Sequence, residues 1–205
     1  MSTTDYVTTE ELVSHLRIDD QDDGPRLAAV IDAVSRAIDS YCGQFFYATS
    51  GTSARVFTPG QAGWVDVDPF ATTTGLTVAT GTDGTFTNSW TIATDFVVKP
   101  DNGRTASGEQ VAYNRLVAVG SKGFPVSVRP TVSVTANWGW PSVPPAVQEA
   151  CLIKCARVFR RRDTPEGIAG GVEFGAIRVS SREDPDAAML LAPYRSTYGA
   201  PVVFG

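Results

Sequence analysis

The sequence predicts an α+β protein, in which N-terminal and C-terminal helices form a helical bundle body with a central β-rich insertion and an extended C-terminal arm. Three observations predict this class. Residues 25–44 and 145–162 carry apolar side chains at spacings of three and four, which is the helical period. Residues 48–140 are rich in glycine, threonine and valine, with short apolar runs between turn sequences. The last residues are again apolar, after a glycine-rich stretch.

The two terminal regions supply the predicted helices. The first helix begins at Thr8, which with Glu11 has the form of a capping box. The segments 25–44 and 145–162 each have one apolar stripe that would be exposed if the helix stood alone, so we expect them to pack together. The predicted body core consists of Leu27, Val30, Ile31, Val34, Ile38, Tyr41, Val147, Cys151, Cys155, Val158 and Phe159.

The middle of the chain predicts short strands. The candidate strands are residues 54–58, 63–67, 76–80, 89–92, 96–99, 110–119 and 128–138, with Thr-Asp-Gly and Asp-Asn-Gly turn sequences among them. The last strand alternates, with an apolar face formed by Val128, Val132, Val134, Ala136 and Trp138. These features predict a compact sheet or a small sandwich.

Four segments follow from this pattern. Residues 1–47 form the N-terminal helices of the body, 48–140 the β-rich insertion, 141–163 the long helix that completes the body, and 164–205 a glycine-rich hinge, a short helix and the arm. Asp184 and Pro185 predict the start of the short helix. The arm's apolar side chains are those of Met189, Leu190, Leu191, Tyr194, Tyr198, Val202, Val203 and Phe204.

The arm has too small an apolar face to form a stable structure alone in water. We therefore expect it to be ordered only when it docks on a partner, as other segments that fold on binding do. Its extended end has the composition of a segment that adds a strand to a sheet edge or fills a groove. The alternative is that the arm packs on its own subunit.

Composition limits the classes of function. A hydrophobic fraction of 42% and a charged fraction of 19% are ordinary for a globular protein, and the net charge of −5 argues against a general attraction for nucleic acid. Three cysteines, Cys42, Cys151 and Cys155, do not make a disulfide framework and indicate buried thiols in a reducing compartment. No secretion signal or membrane span is visible, so we expect a protein made and used in a cytosol, with no membrane partner.

No set of residues predicts catalysis. His15 is the only histidine and has no nucleophile motif to pair with, and Cys151 with Cys155 lacks the second ligand pair of a usual zinc site. Asp66 and Asp68 lie close together in the β region, where an exposed strand or turn explains them better than a glycosidase pair does. The glycine-rich residues 167–171 lack the phosphate-loop order. We expect no enzyme activity, no metal and no cofactor.

Arg160, Arg161 and Arg162 form the one dense basic cluster of the sequence. They lie in the last turn of a predicted helix, where the helix dipole favours cations. The cluster is therefore either a solvated helix end or a contact with an acidic partner surface or with passing DNA. Both interpretations stay open at this point.

The ends of the chain resemble a known family. Residues 7–18, VTTEELVSHLRI, and the helix 28–41 leading into 42–45, CGQF, resemble head-to-tail connector or adaptor proteins of long-tailed bacteriophages. Residues 143–152 look like the second long helix of that family, and 159–167, FRRRDTPEG, resemble the form common in actinobacteriophage adaptors. Residues 174–179 and 184–194 fit the same pattern. The β region resembles the insertion of larger members.

The resemblance implies a structural role in the virion neck. It implies a helical bundle, assembly in the host cytoplasm into a twelve-subunit ring below the portal, and a C-terminal segment that anchors to the portal protein. The ring would connect the capsid to a downstream neck or tail protein while genomic double-stranded DNA passes through without specific binding. An acidic lumen would suit that passage, because like charge opposes phosphate binding.

Rival functions come from three classes. One is a different neck or tail component, a stopper or a tail terminator, which the helical ends disfavour because we expect such proteins to be mainly β. Another is a glycan-binding module that uses Trp64, Trp90, Trp138 and Trp140, although strand tryptophans are more often core residues. The third is an enzyme, for which the sequence offers no catalytic set.

Overall fold

The structure is a computed structural model that describes residues 4–18, 24–82, 84–104, 108–161, 168–169, 177–178 and 184–196. The chain divides into two compact units. The helical unit comprises Met1–Gln44 and Val143–Gly205, and the sheet unit comprises Phe45–Ser142. No helix within the described ranges is long and apolar enough to cross a membrane.

The helical unit contains four α-helices in its described part. These are α1 (Thr9–Leu16), α2 (Gly24–Cys42), α3 (Pro145–Arg160) and α4 (Pro185–Leu191), and a 3₁₀ turn over Ala192–Tyr194 follows α4. Two short strands, β7 (Ile168–Ala169) and β8 (Ile177–Arg178), pair antiparallel in the same unit.

The first helix begins as the sequence predicts. The Thr8 hydroxyl accepts a hydrogen bond from the Glu11 amide at 3.1 Å, and the Glu11 carboxylate accepts one from the Thr8 amide at 2.7 Å. This reciprocal pair satisfies two amides that the first helical turn leaves unbonded, so the predicted capping box is confirmed. At the other end, Arg17 adopts a left-handed conformation with φ of 55° and stops the helix.

The apolar faces of α2 and α3 form the core of the helical unit, and α1 and α4 pack against α3. Val30 and Tyr41 are only partly buried. Val158, expected in the core, is 45% exposed, because it lies in the last turn of α3 and the described residues do not cover it. The predicted core residues that are buried are Leu27, Ile31, Val34, Ile38, Val147, Cys151, Cys155 and Phe159.

The sheet unit is built on six antiparallel strands in the order β1-β6-β2-β5-β4, with β3 paired to β2. The strands are β1 (Ser53–Phe57), β2 (Trp64–Thr82), β3 (Thr85–Trp90), β4 (Phe96–Lys99), β5 (Tyr113–Ala118) and β6 (Val132–Trp138). The 19-residue β2 joins two of the predicted strands. Register shifts between Asp66 and Phe70, and again between Phe70 and Thr77, allow it to pair first with β5 and then with β6.

The core of the sheet unit is separate and aromatic. Along β6 every second residue from Val132 to Trp138 is buried, as the alternation predicts. Val128 does not belong to this face: it precedes the strand and is 98% exposed. The buried cluster consists of Phe57, Val65, Val67, Phe70, Val78, Phe96, Leu116, Phe124, Val132, Val134, Ala136 and Trp138.

The prediction of a helical bundle body with the sheet as an insertion is therefore wrong. The molecule is mostly antiparallel sheet, with a six-stranded central sheet and four α-helices in the described residues. The sheet has its own core, so it is a unit of the fold and not an appendage of a bundle. The prediction failed because a helix has a long periodic pattern that can be recognised in the sequence. A short strand is stabilised by pairing with strands distant in the sequence, and that pairing cannot be recognised there.

Candidate interaction surfaces

The structure gives surroundings for each residue considered for catalysis. His15 lies exposed on α1. Asp66 pairs with Arg115 at 2.5 Å and Asp68 pairs with Arg55 at 2.7 Å, so each carboxylate has a guanidinium partner of its own.

The two cysteines of α3 form a buried thiol pair. The Cys151 sulfur lies 3.9 Å from both the Cys155 sulfur and the Ser35 hydroxyl oxygen. The hydrogen bond that Cys155 donates to Cys151 and its burial both raise the pKa of the Cys155 thiol, so Cys155 stays protonated at neutral pH. Within the described part of the chain, no group of three or more histidine, cysteine or acidic residues is placed to hold a metal ion.

The basic cluster lies at the exposed end of α3. Arg160 and Arg161 are both exposed, and Arg162 lies outside the described residues. One turn earlier, Arg157 forms an ion pair with Asp184 at 3.8 Å, which ties the start of α4 to α3. The arrangement leaves Arg160 and Arg161 on the surface of the helical unit.

The described part of the arm packs on its own unit. The Gln44 amide donates to the Tyr194 carbonyl at 2.5 Å, and the Ser196 amide donates to the Cys42 carbonyl at 2.7 Å. The Arg195 guanidinium lies 5.3 Å from the centre of the Tyr41 ring. The expectation that the arm is ordered only when docked therefore does not hold for residues 184–196.

Packing divides the predicted arm residues into three groups. Leu191 is fully buried, so a partner cannot reach it in this conformation. Leu190 and Tyr194 are partly buried, while Met189 is 69% exposed. The remaining predicted docking residues, Tyr198, Val202, Val203 and Phe204, lie outside the described residues.

The tryptophans do not form a common platform for a sugar. Trp138 is buried, and its indole N–H donates to the Ser53 carbonyl at 2.8 Å. Trp140 packs on Phe46 and Trp90 stacks on Phe124, with ring centres 5.3 Å and 4.6 Å apart. Trp64, in contrast, is 40% exposed beside an arginine of β5.

One surface was not predicted from the sequence. Along β1, Val56 is 52% exposed, and in the loop before β6, Val126 and Val128 are 57% and 98% exposed. The Thr131 amide donates to the Phe57 carbonyl at 3.1 Å, which holds the end of that loop beside the end of β1. We call Ala54, Val56, Val126 and Val128 the β1-edge surface. Only the pairing of β1 reveals it, since valines in an alternating strand ordinarily indicate core.

Comparisons with known proteins give a likeness of structure only. No family model matches the chain, and no curated protein sequence matches it. Among solved structures, a chain in "Neck of empty GTA particle computed with C6 symmetry" is 17% identical with a TM-score of 0.54, covering 93% of this chain and 90% of that chain.

Two further structures show the same likeness. A chain in "Virion of native gene transfer agent (GTA) particle" is 16% identical with a TM-score of 0.52, over 93% of this chain and 90% of that chain. A chain in "Neck of native GTA particle computed with C12 symmetry" is 15% identical with a TM-score of 0.50, over 93% of both. The protein therefore has a fold that is found in the neck of gene transfer agent particles.

Proposed function

We propose that the protein is a structural component of the neck of a tailed phage or a related particle, and that it acts as a head-to-tail adaptor. In this proposal its subunits form a ring that docks on the portal, connects the capsid to the next neck or tail protein and lets DNA pass. The observation that carries it is the fold shared over 93% of the chain with a chain of a gene transfer agent neck. The resemblance of both chain ends to phage adaptors supports it independently.

A twelve-subunit ring is the proposed assembly. Two of the similar structures were computed with C12 and C6 symmetry, and twelve subunits are compatible with both. A cyclic ring needs two different complementary surfaces on each subunit, because its contacts are heterologous. The exposed apolar side chains of β1 and of the loop before β6 provide one surface that a neighbouring subunit could cover.

The protein is proposed to catalyse nothing and to bind no cofactor. In the described residues the acidic side chains nearest to a catalytic arrangement, Asp66 and Asp68, are each engaged by an arginine. The net charge of −5 suits a ring through which DNA passes, because phosphate binding needs cations that displace counterions. The proposed place of the protein is the virion neck, after assembly in the host cytoplasm.

The proposed portal contact includes the outer face of α4 and the end of α3. Among the described residues of the helical unit, Met189 is the most exposed large apolar side chain, and Arg160 and Arg161 lie exposed at the end of α3. Methionine and arginine are both residue types that protein interfaces favour. Arginines at this position also provide partners for acidic side chains of a portal.

Reconstitution with the portal protein of the same genome tests the proposal. The purified protein should bind portal rings and form a layer beneath them that cryo-electron microscopy resolves with twelvefold symmetry. Met189→Asp should weaken portal binding at least about tenfold, the effect of losing roughly 1.4 kcal/mol of contact energy. Ser14→Asp, on the exposed face of α1, is the matched control and should bind normally. Failure of the wild-type protein to bind any portal ring would contradict the adaptor role.

A second candidate is another neck component, a stopper or a tail terminator. The helical ends disfavoured it at the level of sequence, but the six-stranded antiparallel sheet removes that argument. The same reconstitution separates the two functions. A stopper or terminator would leave the bare portal unoccupied and would bind only to a portal that already carries another ring, or to the end of the tail.

A further inference from the structure

In the described part of the sheet unit, three strands lie at edges of the sheet, because each of them pairs with one other strand. These are β1, which pairs with β6, β3, which pairs with β2, and β4, which pairs with β5. An unpaired edge presents a row of free amides and carbonyls and invites pairing with another chain, so natural proteins usually protect it. The three edges differ in this protection.

The edges of β4 and β3 are protected by the chain itself. The Phe96 carbonyl, on the outer side of β4, accepts a hydrogen bond from the Ala93 amide at 2.7 Å. Lys99 ends the strand in an ion pair with Asp101 at 2.7 Å, and lysine is a common guard of sheet edges. In β3 the residues are mostly polar, and its pairing with β2 shifts register after Thr80, which interrupts a regular edge.

The edge of β1 is regular and open. Its five residues pair with β6 without a register shift. The Phe57 carbonyl accepts from the Thr131 amide, so Phe57 directs its backbone groups toward β6. Because backbone direction alternates along an antiparallel strand, Ala54 and Val56 direct their amides and carbonyls away from β6. These two alternate positions of β1 can therefore form four further backbone hydrogen bonds.

Within the described strand β1, no charged side chain is left to guard this edge. Arg55, the one charged residue of β1, is occupied: it forms an ion pair with Asp68 at 2.7 Å and lies 4.6 Å from the centre of the Trp138 ring. Val56 is 52% exposed on the strand, and Val128, 98% exposed, lies in the loop whose end is bonded to Phe57. The β1-edge surface is thus an open backbone edge flanked by apolar side chains, which suits an uncharged extended segment.

We propose that the β1-edge surface binds the C-terminal segment 197–205 of a second copy of the chain, which adds a strand to the sheet. This inference rests on the ring in the proposed function, which supplies the neighbouring copy. Residues 196–205, STYGAPVVFG, contain no charged side chain, and Val202, Val203 and Phe204 are strand formers. Pro201 suits the first position of such a strand, where its missing amide matters least.

The residue from which the segment starts limits the distance over which it can extend. Ser196 is bonded to the carbonyl of Cys42, so the nine residues beyond it extend from a fixed point by at most about 30 Å. The contact joins a tail on one copy to an edge on the next, so it is heterologous and can propagate around a ring. The tail would then close the ring, and the portal contact would be left to the body.

Cysteine cross-linking between two single variants tests the pairing. One protein carries Val56→Cys, and the other carries Val202→Cys or Val203→Cys; the native cysteines are all buried. Mixing under mild oxidation should give a covalent heterodimer that a reductant reverses. Successive strand residues face opposite sides, so one of the two tail positions should cross-link at least about fivefold better than the other. Ile92→Cys, exposed beside the protected β4 edge, is the matched control and should not cross-link.

Two outcomes of the cross-linking would overturn the proposal. One is the absence of a heterodimer with either tail variant. The other concerns a double variant that carries a cysteine at Val56 and at one of the two tail positions. A cross-link that forms only within this chain would mean that the tail covers its own sheet edge.

Assembly measurements separate this inference from the proposed function. Val56→Lys and deletion of residues 197–205 should each raise the protein concentration needed for half-assembly of the ring at least about tenfold. Ile92→Lys should assemble like the wild type, and all three variants should keep the thermal unfolding curve of the parent. Intact rings of the truncated protein that no longer bind portal would overturn the inference and identify the tail as the portal anchor. A wild-type protein that forms no ring at all would contradict the proposed function.

Discussion

The fold changes the ionisation of Asp39, an acidic side chain of the helical unit. Burial raises the pKa of Asp39, while a hydrogen bond from the Tyr6 hydroxyl and the nearby Arg36 guanidinium lower it, and burial has the larger effect. The folded protein therefore holds the Asp39 proton more tightly than the unfolded chain does. The stability that comes from this proton is fully present below the unfolded pKa of about 3.9 and is lost as pH rises through the folded pKa.

Removing the Tyr6 hydroxyl tests the balance between burial and hydrogen bonding at Asp39. In Tyr6→Phe the charged carboxylate loses a donor, so the pKa of Asp39 should rise further above its ordinary value. A carboxyl-carbon NMR titration measures the change directly. Tyr113→Phe, in the sheet unit, is the control and should leave the Asp39 titration where it is. A fall in the Asp39 pKa in the Tyr6 variant would contradict the assigned hydrogen bond.

A single glycine permits the close approach between the start and end of the sheet unit. Gly139 has φ of +101°, its amide donates to the Pro69 carbonyl, and an added Cβ would lie 1.8 Å from the Tyr47 carbonyl oxygen. Gly139→Ala should lower the free energy of unfolding by about 2–4 kcal/mol, through both the unfavourable φ and the overlap. Gly63→Ala, where a Cβ meets nothing within 4 Å, is the matched control. Equal urea midpoints for the two variants would contradict this account.

At the scale of the element, the capping box of α1 allows a direct measurement. Thr8→Ala removes the hydroxyl that accepts from the Glu11 amide and should cost about 1 kcal/mol of stability. Ser14→Ala, on the exposed side of the same helix, provides the control for a simple change in helix propensity. Chemical denaturation followed by circular dichroism would compare the two, and a Thr8 variant no less stable than the Ser14 variant would exclude a stabilising cap.

The helices were predictable because their signals are local. Thr8 with Glu11, and Asp184 with Pro185, begin helices where the sequence places them, and the Asp184 carboxylate accepts from two amides of the first turn. The strand over residues 96–99 was also predicted with the observed bounds. For the two helix starts the deciding hydrogen bonds join residues within one turn, so the sequence contains them, whereas the strand is indicated by its short apolar run.

The arrangement of the sheet was not predictable in the same way. Residues 63–67 and 76–80 were predicted as two strands, yet they belong to one strand that bends between two partners. The bends depend on which strands lie on each side, and that pairing is non-local. The candidate surfaces show the same limit, because the burial of Leu191 and the exposure of Val56 are set by contacts distant in sequence.

At the scale of the whole molecule, each unit has its own core. A single substitution can therefore disrupt the core of one unit. Ile38 is fully buried in α2, so Ile38→Asp should unfold the helical unit, because an unpaired buried charge costs several kcal/mol. Ala37→Asp, one residue earlier and exposed, should fold normally. Amide hydrogen exchange would show lost protection in α2 and α3 with protection retained in β2 and β6. Protection lost throughout both units would mean that they unfold as one.

The positions of the tryptophans have a practical consequence for following such unfolding. All four indoles lie between Trp64 and Trp140, and therefore within the sheet unit. Fluorescence excited selectively at tryptophan thus reports on the sheet unit alone. The buried Trp138 contributes emission at shorter wavelengths, and the exposed Trp64 contributes emission at longer wavelengths. The circular dichroism signal at the minimum typical of α-helices comes mainly from the helical unit. A pair of optical signals can therefore record the melting of each half of this chain without any added label.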